Sequence, residues 1–123
     1  MPILDIECVL PAGSTAALAG AAQRLADTAG RALGSKPGRT WVRLRTLDAT
    51  AYAENDATLD ADGLPVFVTV LHAHVPQGAA LTAQVNALTQ AVAESLGVDA
   101  QRVHVQMAPA AAGRQAFGGR LVE

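Results

Sequence analysis

Pro2 stands directly behind the initiator Met1, and removal of a methionine from so small a second residue exposes a secondary amine. Burial and nearby cations both favour the neutral form of such an amine. They draw its pKa toward neutrality, where it can take up and return a proton during a reaction. Few other groups compete for a chemical role. His72 and His74 stand two apart in one extended run and His104 lies in another. They invite a metal site, but no third ligand at short spacing and no carboxylate partner accompanies them, so neither a metal nor another cofactor is expected. Cys8 is the one cysteine and sits in an apolar run, which excludes an internal disulfide.

A proton-carrying chain end needs a scaffold around it, and an internal repeat describes one. Helical apolar spacing runs Leu18, Ala22, Leu25, Ala29, Leu33 and again Leu81, Val85, Leu88, Val92, Leu96, an offset of 63 positions (18 to 81, 33 to 96). Each run ends in Leu-Gly, and such a glycine suits the left-handed residue that stops a helix. Gly13-Ser14-Thr15 offers a cap for the first helix. Ahead of each helix lies a strand-like segment led by proline, Pro2–Leu10 and Pro65–His72. After each comes a second strand, Trp41–Arg45 and Arg102–Gln106, with the offset reduced to 61 (43 to 104).

Each half therefore reads as β-α-β, with its two strands parallel. Two such units predict an α+β fold, one four-stranded sheet with both helices on one face, in a single domain over 1–123 whose repeats divide near residue 63. The other sheet face is expected to carry Ile3, Asp5, Glu7 and Val9 from the first strand and Val66, Val68, Val70 and His72 from the third. Apolar surface on an open face argues for oligomerisation. The acidic segment between the halves, Asp48 to Leu64, reads as a solvated connector.

With a net charge of −2 and only 3% aromatic residues, the chain makes no electrostatic or stacking case for nucleic acid. Charges interrupt every apolar run before membrane-spanning length. No basic leader precedes a cleavage site, which points to the cytoplasm.

Met1-Pro2 before a strand, Gly34-Ser35-Lys36-Pro37 before the second strand, Val42-Arg43-Leu44 within it, and Arg102-Val103-His104-Val105-Gln106 leading to Ala116-Phe117-Gly118-Gly119 together resemble the tautomerase superfamily. The chain is similar to a fused, two-unit 4-oxalocrotonate tautomerase and to macrophage migration inhibitory factor. That resemblance implies a trimer and a cofactor-independent keto-enol tautomerase acting on small α-keto or enol acids, with Pro2 as general acid/base. It further implies Arg43 as the strand arginine that holds a carboxylate or carbonyl. Arg45, on the same strand face, would support it. Lys36 would match the pocket lysine, His104 and Gln106 would be contributed across a subunit boundary, and Phe117 would be a wall of the pocket.

Other readings of these residues stand beside those roles. Arg43 and Arg45 equally suit a face that bridges subunits. Phe117 suits plain packing, and Tyr52 either folds over the site or anchors the connector to the surface. A non-catalytic trimeric binding or scaffold protein with the same fold is the alternative function, and retention of Met1 would favour it.

Pro65, the repeat of Pro2, carries no titratable proton because its nitrogen lies in a peptide bond. Where dicarboxylate tautomerases carry an arginine just past the first strand, this chain has Leu10-Pro11-Ala12-Gly13. That departure predicts a monocarboxylate substrate. The second half offers Val75-Pro76-Gln77-Gly78, the chain end offers Arg114-Gln115-Ala116-Phe117, and the loop before the second strand holds Lys36 and Arg39. None of these supplies the groups that the family's dehalogenases and decarboxylases use.

Overall fold

The computed structural model describes residues 2–14 and 18–123. Strand β1 (Ile3–Leu10) is followed by helix α1 (Ala21–Ala32) and strand β2 (Trp41–Asp48). Two short 3-10 turns (Ala49–Ala51 and Ala61–Gly63) mark the connector to β3 (Val66–Leu71). Helix α2 (Gly78–Leu96) and strand β4 (Val103–Met107) complete the second half, and a small hairpin, β5 (Ala116–Phe117) with β6 (Arg120–Leu121), follows. The four long strands form one mixed sheet in the order β2-β1-β3-β4. Within each half the strands are parallel, and β1 joins the halves through antiparallel pairing with β3. The α+β fold expected from the repeat is the fold found.

One apolar layer explains the arrangement. Leu4, Ile6 and Cys8 of β1 and Val66, Val68 and Val70 of β3 are buried, and they pack beneath Ala21, Leu25 and Ala29 of α1 and Leu88, Val92 and Ala93 of α2. Val42 and Leu44 of β2 and Val105 and Met107 of β4 extend the layer toward both edges. The Cys8 thiol lies inside it, and burial pushes its pKa up to about 11, which leaves it as a small apolar side chain rather than a nucleophile. Both helices stop at a left-handed glycine, Gly34 (φ 65°) and Gly97 (φ 66°). There the Ser35 and Val98 amides reach back to the Gly30 and Ala93 carbonyls, the geometry a side chain at the glycine would strain.

Three sequence expectations change. Helix α1 begins at Ala21, with Gly20 as its N-cap and no side-chain cap; Ser14 lies well ahead of this start, and Thr15 lies outside the described residues, as does Met1. Its core stripe starts with Ala21, while Ala22 is exposed. The third correction concerns the open sheet face. Val66, Val68 and Val70 point toward the helices, and Phe67, Thr69 and Leu71 take their place opposite Glu7, Asp5 and Ile3. The helices keep the 63-residue offset, with Leu25 matching Leu88 and Ala29 matching Val92. The inward residues 4, 6 and 8, by contrast, match 66, 68 and 70. That slip of one residue turns every β3 side chain to the other face. His72 belongs to neither face as a strand residue, because β3 ends at Leu71.

Leu88 is fully buried beneath the sheet. Leu88→Ala should lower unfolding stability by about 2–5 kcal/mol in urea titration, whereas a loss under about 1 kcal/mol would mean that the helix does not cover the sheet there.

Candidate functional site

Pro2 is buried at the head of β1. Its carbonyl accepts a hydrogen bond from the Trp41 amide at 3.0 Å, which ties the chain start to the start of β2. Above it runs the loop from α1 to β2. The Thr40 hydroxyl donates to Ser35 Oγ at 2.6 Å, and the Arg39 amide donates to the Lys36 carbonyl at 3.1 Å. These bonds close the loop into a turn that carries two cations on one rim. Pro2, Lys36, Arg39 and His72, with the Leu33–Ser35 segment, line a pocket of about 380 Å³.

His72 reaches this pocket through strand register. Ile3 faces Leu71 in the antiparallel ladder, and continuing that register one step sets His72 opposite Pro2. The His72 carbonyl accepts from the Ala111 amide at 2.8 Å, which anchors its backbone. Its Nδ1 is buried and has no hydrogen-bond partner among the described residues. Burial pushes the imidazole pKa below its ordinary value, with His74 adding repulsion. His74 itself is exposed, its Nε2 3.1 Å from the Glu123 backbone oxygen. Among the described residues, no three His, Cys, Asp or Glu side chains gather as a metal ion would require.

The remaining candidate residues lie elsewhere. Arg43 is on the open sheet face, where its Nε and Nη2 donate to the two Asp5 carboxylate oxygens at 2.6 and 2.7 Å. Arg45 lies one rung further along that face, beside Glu7 and Phe67 in a hollow of about 170 Å³. His104 stacks on Phe67 at 5.6 Å, and Tyr52 meets the same ring at 5.9 Å. The Tyr52 hydroxyl donates to Glu54 at 2.8 Å. Gln106 is opposite Thr69. Phe117 packs edge-on against Trp41 at 5.4 Å.

Within one chain, then, only Lys36 of the expected binding residues shares the pocket with Pro2. Arg43, Arg45, His104, Gln106 and Tyr52 occupy the opposite side of the sheet, and Phe117 lies by β2. The structure adds Arg39 and His72. Arg39 had a signal in the sequence, since it follows Lys36 by three residues in a loop rich in glycine and proline. His72 had none of its own, because its place beside Pro2 follows from the antiparallel pairing of β3 with β1.

No family model matches the sequence, and no curated protein matches it either. Solved structures do. A fused 4-OT described as a wild-type symmetric trimer superposes with a TM-score of 0.71 at 20% identity, over 98% of this chain and 94% of the other. Macrophage migration inhibitory factor from Oncomelania hupensis gives a TM-score of 0.71 at 20% identity, covering 100% of this chain and 83% of that one. FG41 malonate semialdehyde decarboxylase, inhibited by 3-bromopropiolate, gives 0.63 at 16% identity over 94% and 90% of the two chains. At such identities the likeness is one of architecture. The chain has the doubled β-α-β fold seen in fused 4-OT and in macrophage migration inhibitory factor.

Proposed function

We propose that this protein is a cofactor-independent keto-enol tautomerase of small α-keto or enol carboxylates, with Pro2 as general acid/base. The observation that carries this reading is the environment of Pro2, a buried residue at the base of a pocket rimmed by Lys36 and Arg39. Once Met1 is removed, these cations favour the neutral amine over prolinium and so favour the form that accepts a proton. The same cations can hold a substrate carboxylate and stabilise negative charge on the adjacent oxygen.

The chemistry needs one base. Neutral Pro2 removes a proton from C3 of the keto acid, the C2–C3 double bond forms and charge moves to the C2 oxygen. The prolinium then delivers its proton to that oxygen, and the amine is neutral again. No carboxylate stands among the described residues lining the pocket, so Pro2 has no acidic partner there.

Arg43, already held by Asp5, is proposed to meet substrate only in the pocket of a neighbouring copy, with Arg45, His104, Gln106 and Tyr52 on the face between subunits and Phe117 in an aromatic wall with Trp41. Assembly as a homotrimer is part of this reading. The superposed fused 4-OT is described as a trimer, and the open face leaves Trp41 and Phe67 exposed beside Ile3 and Leu71. Light scattering at micromolar concentration should return three copies; a stable monomer would contradict the assembly and the roles that depend on it.

Four further outcomes test the chemistry. Intact-mass spectrometry should find the mature chain beginning at Pro2, and Pro2→Ala, which exchanges a secondary for a primary amine, should lose most ketonisation activity while keeping its melting temperature. Retained Met1 together with full activity in the variant would remove Pro2 from the mechanism. Phenylenolpyruvate should be ketonised with higher kcat/KM than 2-hydroxymuconate, because both pocket cations sit on one rim and a second carboxylate would be buried unpaired. Lys36→Ala should cost about 1.5–3 kcal/mol in kcat/KM through loss of a charge-assisted contact. A preference for the dicarboxylate, or a Lys36→Ala enzyme as fast as the parent, would move substrate binding to another part of the molecule.

A further inference from the structure

Opposite Pro2 in the continued β1–β3 register, His72 brings the pocket its one imidazole, and the two ring nitrogens have unequal surroundings. Nδ1 is buried without a partner among the described residues. A buried N–H left with no acceptor is a costly orphan, rarer in folded proteins than an acceptor left without a donor. The least costly state of the ring therefore leaves Nδ1 bare and puts the single proton on Nε2. Protonation to imidazolium would force a proton onto Nδ1 as well. It would also add a third positive charge to a pocket that already holds Lys36 and Arg39, with His74 two residues along the chain. Burial, the largest influence on this ring, acts in the same direction.

We propose that His72 is a second catalytic residue, a neutral imidazole whose Nε2–H donates a hydrogen bond to the C2 oxygen of the acid on which Pro2 acts. This rests on the tautomerase reading above. The proton on Nε2 is not transferred: Pro2 removes and returns the moving proton, and His72 stabilises charge on oxygen while the C2–C3 double bond forms. A neutral imidazole can polarise a carbonyl in this way without the burial cost of a full charge. The division of labour follows from position. Lys36 and Arg39 are exposed on the outer rim and suit the solvated carboxylate, whereas the partly buried ring suits the less hydrated oxygen at the reacting centre.

The test uses the mature full-length protein and two readouts. Nitrogen-15 NMR of the imidazoles, with His72 assigned by comparison with His72→Gln, should find the His72 ring neutral at pH 7 with its proton on Nε2; a proton on Nδ1, or an imidazolium at that pH, would overturn the proposal. In phenylenolpyruvate ketonisation, His72→Ala should lower kcat about 100-fold, the usual effect of losing one oxyanion donor. His72→Gln, whose amide can donate from a similar place, should recover part of that loss, and both variants should keep the parent melting temperature and trimer. Full activity in His72→Ala, or equal loss in both variants, would refute a donor role. A parent enzyme with no activity toward any keto or enol acid would instead refute the tautomerase reading, while the tautomer measured by NMR would still report on the ring.

Discussion

The antiparallel pairing of β1 with β3 is the contact on which the rest depends. It sets Leu4 against Val70, Ile6 against Val68 and Cys8 against Val66, a row of pairs that is buried throughout. Each β-α-β half would otherwise expose one flank of its sheet and one side of its helix. Joining them at the centre lets α1 and α2 lie side by side over a continuous apolar layer, with Leu25 and Leu88 fully covered. Burial of this kind contributes roughly 25 cal/mol per Å² of apolar surface. It is the largest favourable contribution open to a chain with so few aromatic residues.

The same pairing sets the pocket. A ladder in which Ile3 meets Leu71 ends with Pro2 beside His72, and the end of α1 brings Gly34, Ser35 and Lys36 over both. Three groups distant in sequence thus surround one small volume. The duplicated half makes no matching site, since Pro65 is buried in mid-chain and its carbonyl accepts from the Val9 amide. A nitrogen locked in a peptide bond takes no proton, so the two halves share an architecture and differ in what their leading prolines can do.

The opposite face follows a different logic. Ile3, Trp41 and Leu71 share one rung, and the next two carry charge, Arg43 with Asp5 beside Thr69 and Arg45 with Glu7 beside Phe67, so apolar and charged surface adjoin on one face. The Arg43–Asp5 pair is bidentate but largely exposed, and pairs in water contribute little to stability. Two hydrogen bonds hold the Arg43 guanidinium flat, so it presents a fixed pattern of donors on that face.

Much of this was legible in the residues themselves. Helical spacing, the Leu-Gly endings and the proline-led strands were sufficient for two β-α-β units, a four-stranded sheet and helices on one side, because these signals are local and follow from the 3.6 and 2.0 periods of the backbone. Pro2 and Lys36 could be singled out for the same reason, each being marked by its immediate neighbours. What only the tertiary structure decided depended on register between segments far apart in sequence. Nothing local to Val66–Leu71 tells which of two apolar alternating sets faces the helices, since Val66, Val68 and Val70 and Phe67 and Leu71 are all apolar. The choice is made by β1, and a one-residue slip exchanges the faces. That β1–β3 register put His72 next to Pro2, while the parallel pairing of β1 with β2 set Arg43 beside Asp5 on the opposite face, so the chain's own periodicity determined its elements and the pairing of strands decided which side chains share the pocket.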